Sequence, residues 1–179
     1  PMADFERAFQ LNLFSVFHMS QLCAPHMKAA GGGAIINISS MAGQNKNKRM
    51  CSYGASKAAV DHLTRNMAFD LGQDKIRVNA IAPGAIRTAA LATVLTPDVE
   101  AAMLKHTPLG RLGEGSDIAA AAVYLASPAS SWVSGQVLTV SGGGVQDLDE
   151  DGLDDFTPVN DPTIWGGRRQ WRIGFGFEF

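Results

Sequence analysis

The sequence predicts an α/β fold, a partial Rossmann-like doubly wound parallel sheet, because helical and strand patterns alternate along it. Segments with apolar residues at helical spacing are each followed by a short run rich in β-branched residues. This order is typical of parallel sheets that carry helices on both faces. With 46% hydrophobic and 18% charged residues, the chain also has the composition of an ordinary globular domain.

Each predicted element has its own local signal. The first helix ends at a glycine triplet, the second is closed by Gly72, and the second strand is cut off by Pro83. In chain order the predicted elements are a helix over 5–27, a strand over 34–38, a helix over 53–71, a strand over 76–81, a helix over 117–126 and a strand over 137–140.

The predicted sheet is small for a dinucleotide-binding fold, which has about six strands and a Gly-rich turn that holds the pyrophosphate. The triplets Gly31–Gly33 and Gly142–Gly144 lack the G-x-G-x-x-G spacing, so we interpret them as turns. We therefore expect the chain to be the carboxy-terminal part of such a fold, without the site for the pyrophosphate and adenosine.

Charge and composition exclude several functions. The 15 basic and 17 acidic residues are interspersed, whereas nucleic-acid binding concentrates basic residues on one face. The two cysteines are far apart and none of the four histidines has a second ligand nearby, so we predict no metal site and a reducing, cytoplasmic setting. No run of about 18 apolar residues predicts a membrane span.

The composition changes near residue 147, where we place a boundary between residues 1–147 and a tail, 148–179. The tail is acidic first and then aromatic, and we predict it to be irregular with one candidate terminal strand. Its start has the spacing of a calcium loop, but Pro158 stands where a bidentate Glu belongs. Its alternating end resembles the closing strand of a TonB-dependent outer-membrane receptor, which makes a fusion a candidate origin.

Four polar residues stand where chemistry is expected. Tyr53 and Lys57 lie four residues apart at a helix start and share one face. A phenol is a weak acid at neutral pH, but a neighbouring ammonium favours the phenolate. Ser40 follows the first strand, at the sheet edge where ligands bind. Asn12 is an amide within an apolar helix face and needs a partner.

These residues resemble, in order and spacing, the Asn, Ser, Tyr and Lys tetrad of the short-chain dehydrogenase/reductase family. The resemblance covers residues 1–147. The matching segments are Leu11-Asn12-Leu13, Asn37-Ile38-Ser39-Ser40, Tyr53-Gly54-Ala55-Ser56-Lys57, Arg77-Val78-Asn79, Pro83-Gly84-Ala85-Ile86-Arg87-Thr88, Gly135-Gln136 and Ser141-Gly142-Gly143.

The resemblance implies an NAD-dependent oxidoreductase, with NADP not excluded, that interconverts a secondary alcohol and a ketone. Tyr53 would transfer the proton, Lys57 would favour the phenolate and hold the cofactor ribose, and Ser40 would orient the substrate oxygen. Asn12 would anchor a water that links Lys57 to solvent. The cofactor-binding residues implied are Tyr53, Lys57, Pro83, Gly84, Ile86 and Thr88.

Within the family, the segments 45–47, 66–72 and 131–136 resemble the bacterial 7α-hydroxysteroid dehydrogenases, which implies a hydroxysteroid substrate such as a bile acid. Family members often pair long helices across a dimer, so we expect a homo-oligomer in the parent enzyme. We expect this truncated chain alone to be inactive. The alternative is a non-catalytic remnant, or a module that interacts through its long helices.

Two smaller features leave alternatives open. The stretch from Thr96 to His106 predicts a helix that is either a lid over an apolar substrate or a plain surface helix. Cys51 lies two residues before Tyr53, but no partner base accompanies it, so we interpret it as a bystander.

Overall fold

Three parallel strands form a sheet in the order β1-β2-β3, as the sequence predicts. A computed structural model describes residues 1–45 and 50–144. The strands are β1 (Gly33–Ile38), β2 (Ile76–Pro83) and β3 (Val137–Val140). The helices are α1 (Met2–Phe9), α2 (Ser15–Ala29), α3 (Cys51–Leu71), α4 (Ala89–Ala92), α5 (Pro97–Leu104) and α6 (Gly115–Ala126).

Helices cover both faces of the sheet. On one face Ile76 and Val78 of β2 pack against Met67 of α3, with residues of α2 beside them. Successive side chains of a strand point to opposite faces, and Arg77 accordingly reaches the other face, where it donates to the carbonyl oxygen of Leu125 in α6. The prediction of a doubly wound arrangement is confirmed.

Polar side chains of β2 also bind the segment between α6 and β3. Arg77 Nη1 donates to Ser130 Oγ at 3.0 Å, and Asn79 Nδ2 donates to the carbonyl oxygen of Val133 at 2.9 Å. Asn79 Oδ1 accepts from the backbone N–H of Gln136 at 3.0 Å. Because Arg77 and Asn79 are held by several partners, they fix the turn after α6 against the central strand.

The strands differ in burial. Val78 and Ile81 of β2 are fully buried, whereas Ile38 of β1 is 46% exposed. At its carboxyl end β1 is therefore less covered than β2. Among the described residues β1 pairs with β2 alone, so one of its edges borders an open groove.

Two predicted boundaries need correction. Pro83 does not cut β2 short but is its last residue, opposite Val140. A proline is tolerated at a strand end, where its missing N–H breaks little of the ladder. The predicted first helix is helical over residues 2–29, but a π-helical turn, Gln10–Phe14, interrupts it.

The expectations for the tail concern residues that the structure does not describe. The boundary near 147, the acidic and aromatic segments, the calcium-loop spacing and the receptor-like terminal strand all lie outside the described residues. They stay predictions. Within the described residues, no helix combines the length and the apolar character that crossing a membrane requires.

Candidate active site

A cleft of about 480 Å³ opens at the carboxyl ends of β1 and β2. It brings together Ser40, Tyr53 and Lys57 of the predicted tetrad and all four predicted residues of the loop after β2. Gly115 and Ile118 of α6 complete its wall. The lining residues are Ile38, Ser39, Ser40, Tyr53, Lys57, Pro83, Gly84, Ile86, Thr88, Gly115 and Ile118.

Helix α3 carries Tyr53 and Lys57, the pair predicted to transfer the proton. Lys57 lies one helical turn after Tyr53, and its Nζ is 5.8 Å from the centroid of the Tyr53 ring. The same Nζ donates to the carbonyl oxygen of Ile38 at 2.9 Å, which fixes the ammonium beside the end of β1. Burial lowers the pKa of Lys57, and the negative charge of Asp61, one turn further along α3, opposes that lowering.

Ser40 is held by the turn that follows β1. Its Oγ accepts from the backbone N–H of Ala42 at 3.1 Å and so caps the short 3₁₀ helix Met41–Gly43. Ser39 Oγ donates to the carbonyl oxygen of Lys57 at 3.2 Å, which ties this turn to α3. A Cβ at Gly54 would lie 2.7 Å from the carbonyl oxygen of Ala42, so the turn and the helix approach each other at backbone distance.

Asn12 is not part of the cleft lining. It lies in the π-helical turn and lines a neighbouring groove of about 420 Å³, which Lys57 also borders. Its Nδ2 donates to Ser56 Oγ at 3.0 Å, and Ser56 Oγ donates to the carbonyl oxygen of Tyr53 at 2.7 Å. Asn12 is thus connected to Tyr53 through α3. Single π-helical turns inside helices often mark functional sites.

The loop after β2 forms the opposite wall. Gly84 donates its N–H to the carbonyl oxygen of Val140, and a Cβ at Gly84 would lie 2.8 Å from Ser141. Thr88 Oγ1 accepts from the backbone N–H of Leu91 and caps α4. These contacts fix the backbone of the loop, so its side chains face the cleft from a defined position.

Sequence reasoning missed several members of the site. Ser39 and Ser56 look like ordinary small residues, and their hydrogen bonds with Lys57 and Asn12 depend on how α3 packs against its neighbours. Gly115 and Ile118 come from a helix about 60 residues further along the chain than Lys57. The one available signal in the sequence for a contribution of α6 was its apolar residue Ile118 in the first turn. Among residues 1–45 and 50–144, no group of three His, Cys, Asp or Glu side chains is placed to hold a metal ion.

The cleft fits one end of a dinucleotide rather than a whole one. Lys57 supplies a cationic donor suited to ribose hydroxyls, and the loop from Pro83 to Thr88 presents backbone beside it. No Gly-rich phosphate turn lies in the described residues or elsewhere in the sequence. The residues present therefore fit the nicotinamide end.

Comparison with known proteins identifies the family. A family model described as Enoyl-(Acyl carrier protein) reductase matches residues 1–144. The 7alpha-hydroxysteroid dehydrogenase of Escherichia coli (strain K12) is 66% identical over 148 residues, which cover 83% of this chain and 58% of that protein. The chain belongs to the short-chain dehydrogenase/reductase family. It spans 58% of the length of this relative.

Other family members show the same partial coverage. The 3alpha-hydroxysteroid dehydrogenase of Mediterraneibacter gnavus is 45% identical over 139 residues, or 78% of this chain and 55% of that protein. A solved 7α-hydroxysteroid dehydrogenase, complexed with NADH and 7-oxo glycochenodeoxycholic acid, superposes with a TM-score of 0.79 at 65% identity, and covers 83% of this chain and 58% of its own. The predicted family and fold are therefore confirmed.

Proposed function

We propose that residues 1–147 form the carboxy-terminal, catalytic part of an NAD(P)-dependent oxidoreductase that interconverts a secondary alcohol and a ketone. The observation that carries this proposal is the shared cleft of Ser40, Tyr53 and Lys57 at the carboxyl ends of β1 and β2. In parallel α/β sheets this edge is the place where ligands bind.

Each side chain has a role that its position supports. The hydroxyl of Tyr53 gives its proton to the substrate ketone, or takes one from the alcohol, and the ammonium of Lys57 stabilises the phenolate that forms. Ser40 donates a hydrogen bond to the substrate oxygen, which stabilises the charge that develops there. The bound nicotinamide ring supplies or accepts the hydride.

Asn12 acts from the neighbouring groove. One of its two amide N–H groups is bonded to Ser56, which leaves its carbonyl oxygen and its second N–H able to hold a water. Lys57 borders the same groove, so such a water would pass protons between the ammonium and solvent. The tetrad in this proposal thus has three members in the cleft and one behind it.

The proposed substrate is a hydroxysteroid. Three isoleucines, Ile38, Ile86 and Ile118, line the cleft beside the polar groups, which suits an apolar ring system carrying a single oxygen. The solved relative binds 7-oxo glycochenodeoxycholic acid, a ketone of this class, together with NADH. We propose NAD as cofactor, with NADP as the open alternative, and a cytoplasmic setting.

The parent enzyme is proposed to be a homo-oligomer. Large apolar side chains of the first helical stretch are exposed, and a second copy would cover them: Phe14, Phe17 and Leu22. The same side chains support the alternative function, a non-catalytic module that interacts through its helices. The origin of the tail as a fusion also remains a proposal.

The proton-transfer role is tested in a chimera in which residues 1–147 follow the dinucleotide-binding part of the E. coli relative. Tyr53→Phe removes one hydroxyl and should lower kcat for bile-acid oxidation at least about 100-fold while the melting temperature is kept. Tyr124→Phe is the matched control, because Tyr53 and Tyr124 are 38% and 42% exposed.

The outcomes separate the two functions. A Tyr53→Phe chimera that retains more than about a tenth of the activity would remove Tyr53 from the chemistry. A wild-type chimera that folds, binds NADH and turns over no secondary alcohol would favour the non-catalytic alternative.

A further inference from the structure

The segment that joins the cleft loop to α6, residues 89–108, is loosely attached. It contains α4 and α5, and none of its residues is buried. Val94 is 62% exposed. Over the described ranges, no other helix or strand packs extensively against α4 or α5. We call residues 89–108 the α4–α5 segment.

One side-chain hydrogen bond joins the helices of this segment to the rest of the molecule, and its last residues, Thr107 and Pro108, lie close to Gly142 and Gly143. At the carboxyl end of the segment, the carbonyl oxygen of Thr107 accepts from the backbone N–H of Gly110. Among residues 1–45 and 50–144, the hydrogen bonds of residues 89–105 otherwise stay within residues 88–107, apart from a single bond. In that bond Arg87 Nη2 donates to Glu100 Oε1 of α5 at 2.6 Å. An ion pair thus carries most of the polar attachment.

Arg87 is itself firmly placed. Its backbone N–H donates to the carbonyl oxygen of Gly113 at 2.7 Å, and its Nε lies 3.6 Å from Glu114 Oε1. Glu114 caps α6 in a capping box with Asp117. The guanidinium of Arg87 therefore connects α5 to the fixed beginning of α6.

The same residue stands at the rim of the cleft. Its neighbours Ile86 and Thr88 line the cleft, and so do Gly115 and Ile118, which follow Glu114 in α6. The position of the α4–α5 segment relative to this rim therefore depends on how Arg87 is paired.

We propose that Arg87 is an electrostatic fastener that holds the α4–α5 segment against the rim of the cleft, and that its release opens the rim to a bulky substrate. The second half of this statement rests on the proposed function. The pair is partly exposed, with side chains 47% and 32% accessible, so salt screens it. Exposed ion pairs of this kind change an opening equilibrium by up to about fivefold each.

Hydrogen–deuterium exchange on the full 179-residue chain measures the fastener without cofactor or substrate. In Arg87→Met, the carboxylates of Glu100 and Glu114 lose their cationic partner. The amides of residues 97–104 should therefore exchange about three- to tenfold faster at low ionic strength. The wild-type chain in about 0.5 M salt should approach the variant, whose own exchange should change little with salt. Amides of β2 should not respond.

Two further variants separate charge from packing. Arg87→Lys keeps the charge and should restore part of the protection. Lys28→Met removes a cation from a comparable ion pair, in which Lys28 Nζ is 2.7 Å from Asp74 Oδ1, at a site away from the cleft loop. It should leave residues 97–104 as they are in the wild type.

Several results would overturn the proposal. Exchange in Arg87→Met within twofold of wild type would show that the ion pair does not hold α5. An equal response to Lys28→Met would trace the effect to net charge. Equal exchange of β2 and α5 in the wild-type chain would show that the segment does not open separately. None of these results depends on Tyr53, so the proposed function stands or falls independently.

Discussion

The cleft has two unlike sides. The side that carries Tyr53 and Lys57 is built on α3 and β2, where Val60, Val78 and Ile81 are completely buried. Its rim continues into the α4–α5 segment, residues 89–108, in which no residue is buried and the ion pair between Arg87 and Glu100 joins α5 to the cleft loop. In the proposed enzyme, the groups that must be held to within a fraction of an ångström lie on packed elements, whereas the proposed opening lies on a weakly held one.

The two regions are also encoded differently. Helix α5 is specified locally, since Thr96 Oγ1 accepts from the backbone N–H of Val99 and Pro97 occupies the first turn. Strand β2 is specified by long-range packing, because its apolar residues meet side chains of α2 and α3. Because α5 is capped by residues of its own segment, its helical shape does not depend on its contacts with the rest of the molecule. Its position depends on the ion pair between Arg87 and Glu100.

The largest expected effect concerns the cofactor. The 179-residue chain alone should show no saturable NADH binding up to about 1 mM and no oxidation of a bile acid. The reason is that the cleft side built on α3 and β2 offers residues for the nicotinamide end of the cofactor and none for its pyrophosphate. Calorimetric titration on soluble material measures the binding. Saturable binding in the micromolar range would mean that the chain completes a dinucleotide site by other residues.

The contrast in packing predicts a contrast in stability. Asn79 is 1% exposed and bonded to Val133 and Gln136, so Asn79→Ala removes two hydrogen bonds from a buried side chain and should cost about 1–3 kcal/mol in the free energy of unfolding. Val99→Ala on α5 should cost less than about 1 kcal/mol. Urea denaturation of both variants provides the comparison, and equal losses would contradict it.

A smaller effect is expected from the charge of Lys57. Burial lowers the pKa of Lys57 below its ordinary value of 10.5. Between the folded pKa and 10.5 the unfolded chain binds more protons, so the free energy of unfolding should rise with pH through that window. Lys57→Met should remove this rise. Asp61→Asn removes a charge that raises the pKa of Lys57, and should extend the window to lower pH.

Urea denaturation at a series of pH values, with Lys28→Met as an exposed control, measures these slopes. Identical slopes in wild type and Lys57→Met would show that the ammonium is hydrated as well in the folded chain as in the unfolded one.

The smallest effect is expected from the tail. Deleting residues 148–179 should leave the melting temperature unchanged, because the composition break near 147 predicts a segment outside the dehydrogenase core. Differential scanning fluorimetry of the shortened and full chains tests this. A clear fall in melting temperature after deletion would place the tail among the stabilising parts of the molecule.

The candidate site was predictable where it is local. Tyr53 and Lys57 follow from helical spacing, and Ser40 follows from its place after a strand. The separation of Asn12 from the cleft was not predictable, because it depends on the π-helical turn and on the bond to Ser56. The contribution of α6 depends on packing between elements that are distant in sequence.

The sequence by itself determined the order of helices and strands, the parallel sheet, the family and the residue types of the tetrad. These properties depend on periodicity, on glycine and proline positions and on short spacings, all of which act over a few residues. The tertiary structure alone decided that Lys57 is partly buried beside Ile38, that Ser39 ties its turn to α3, and that Arg87 pairs with Glu100 of α5. These contacts join residues that are 13 to 19 positions apart in the sequence and lie on different elements. They form only when those elements pack together.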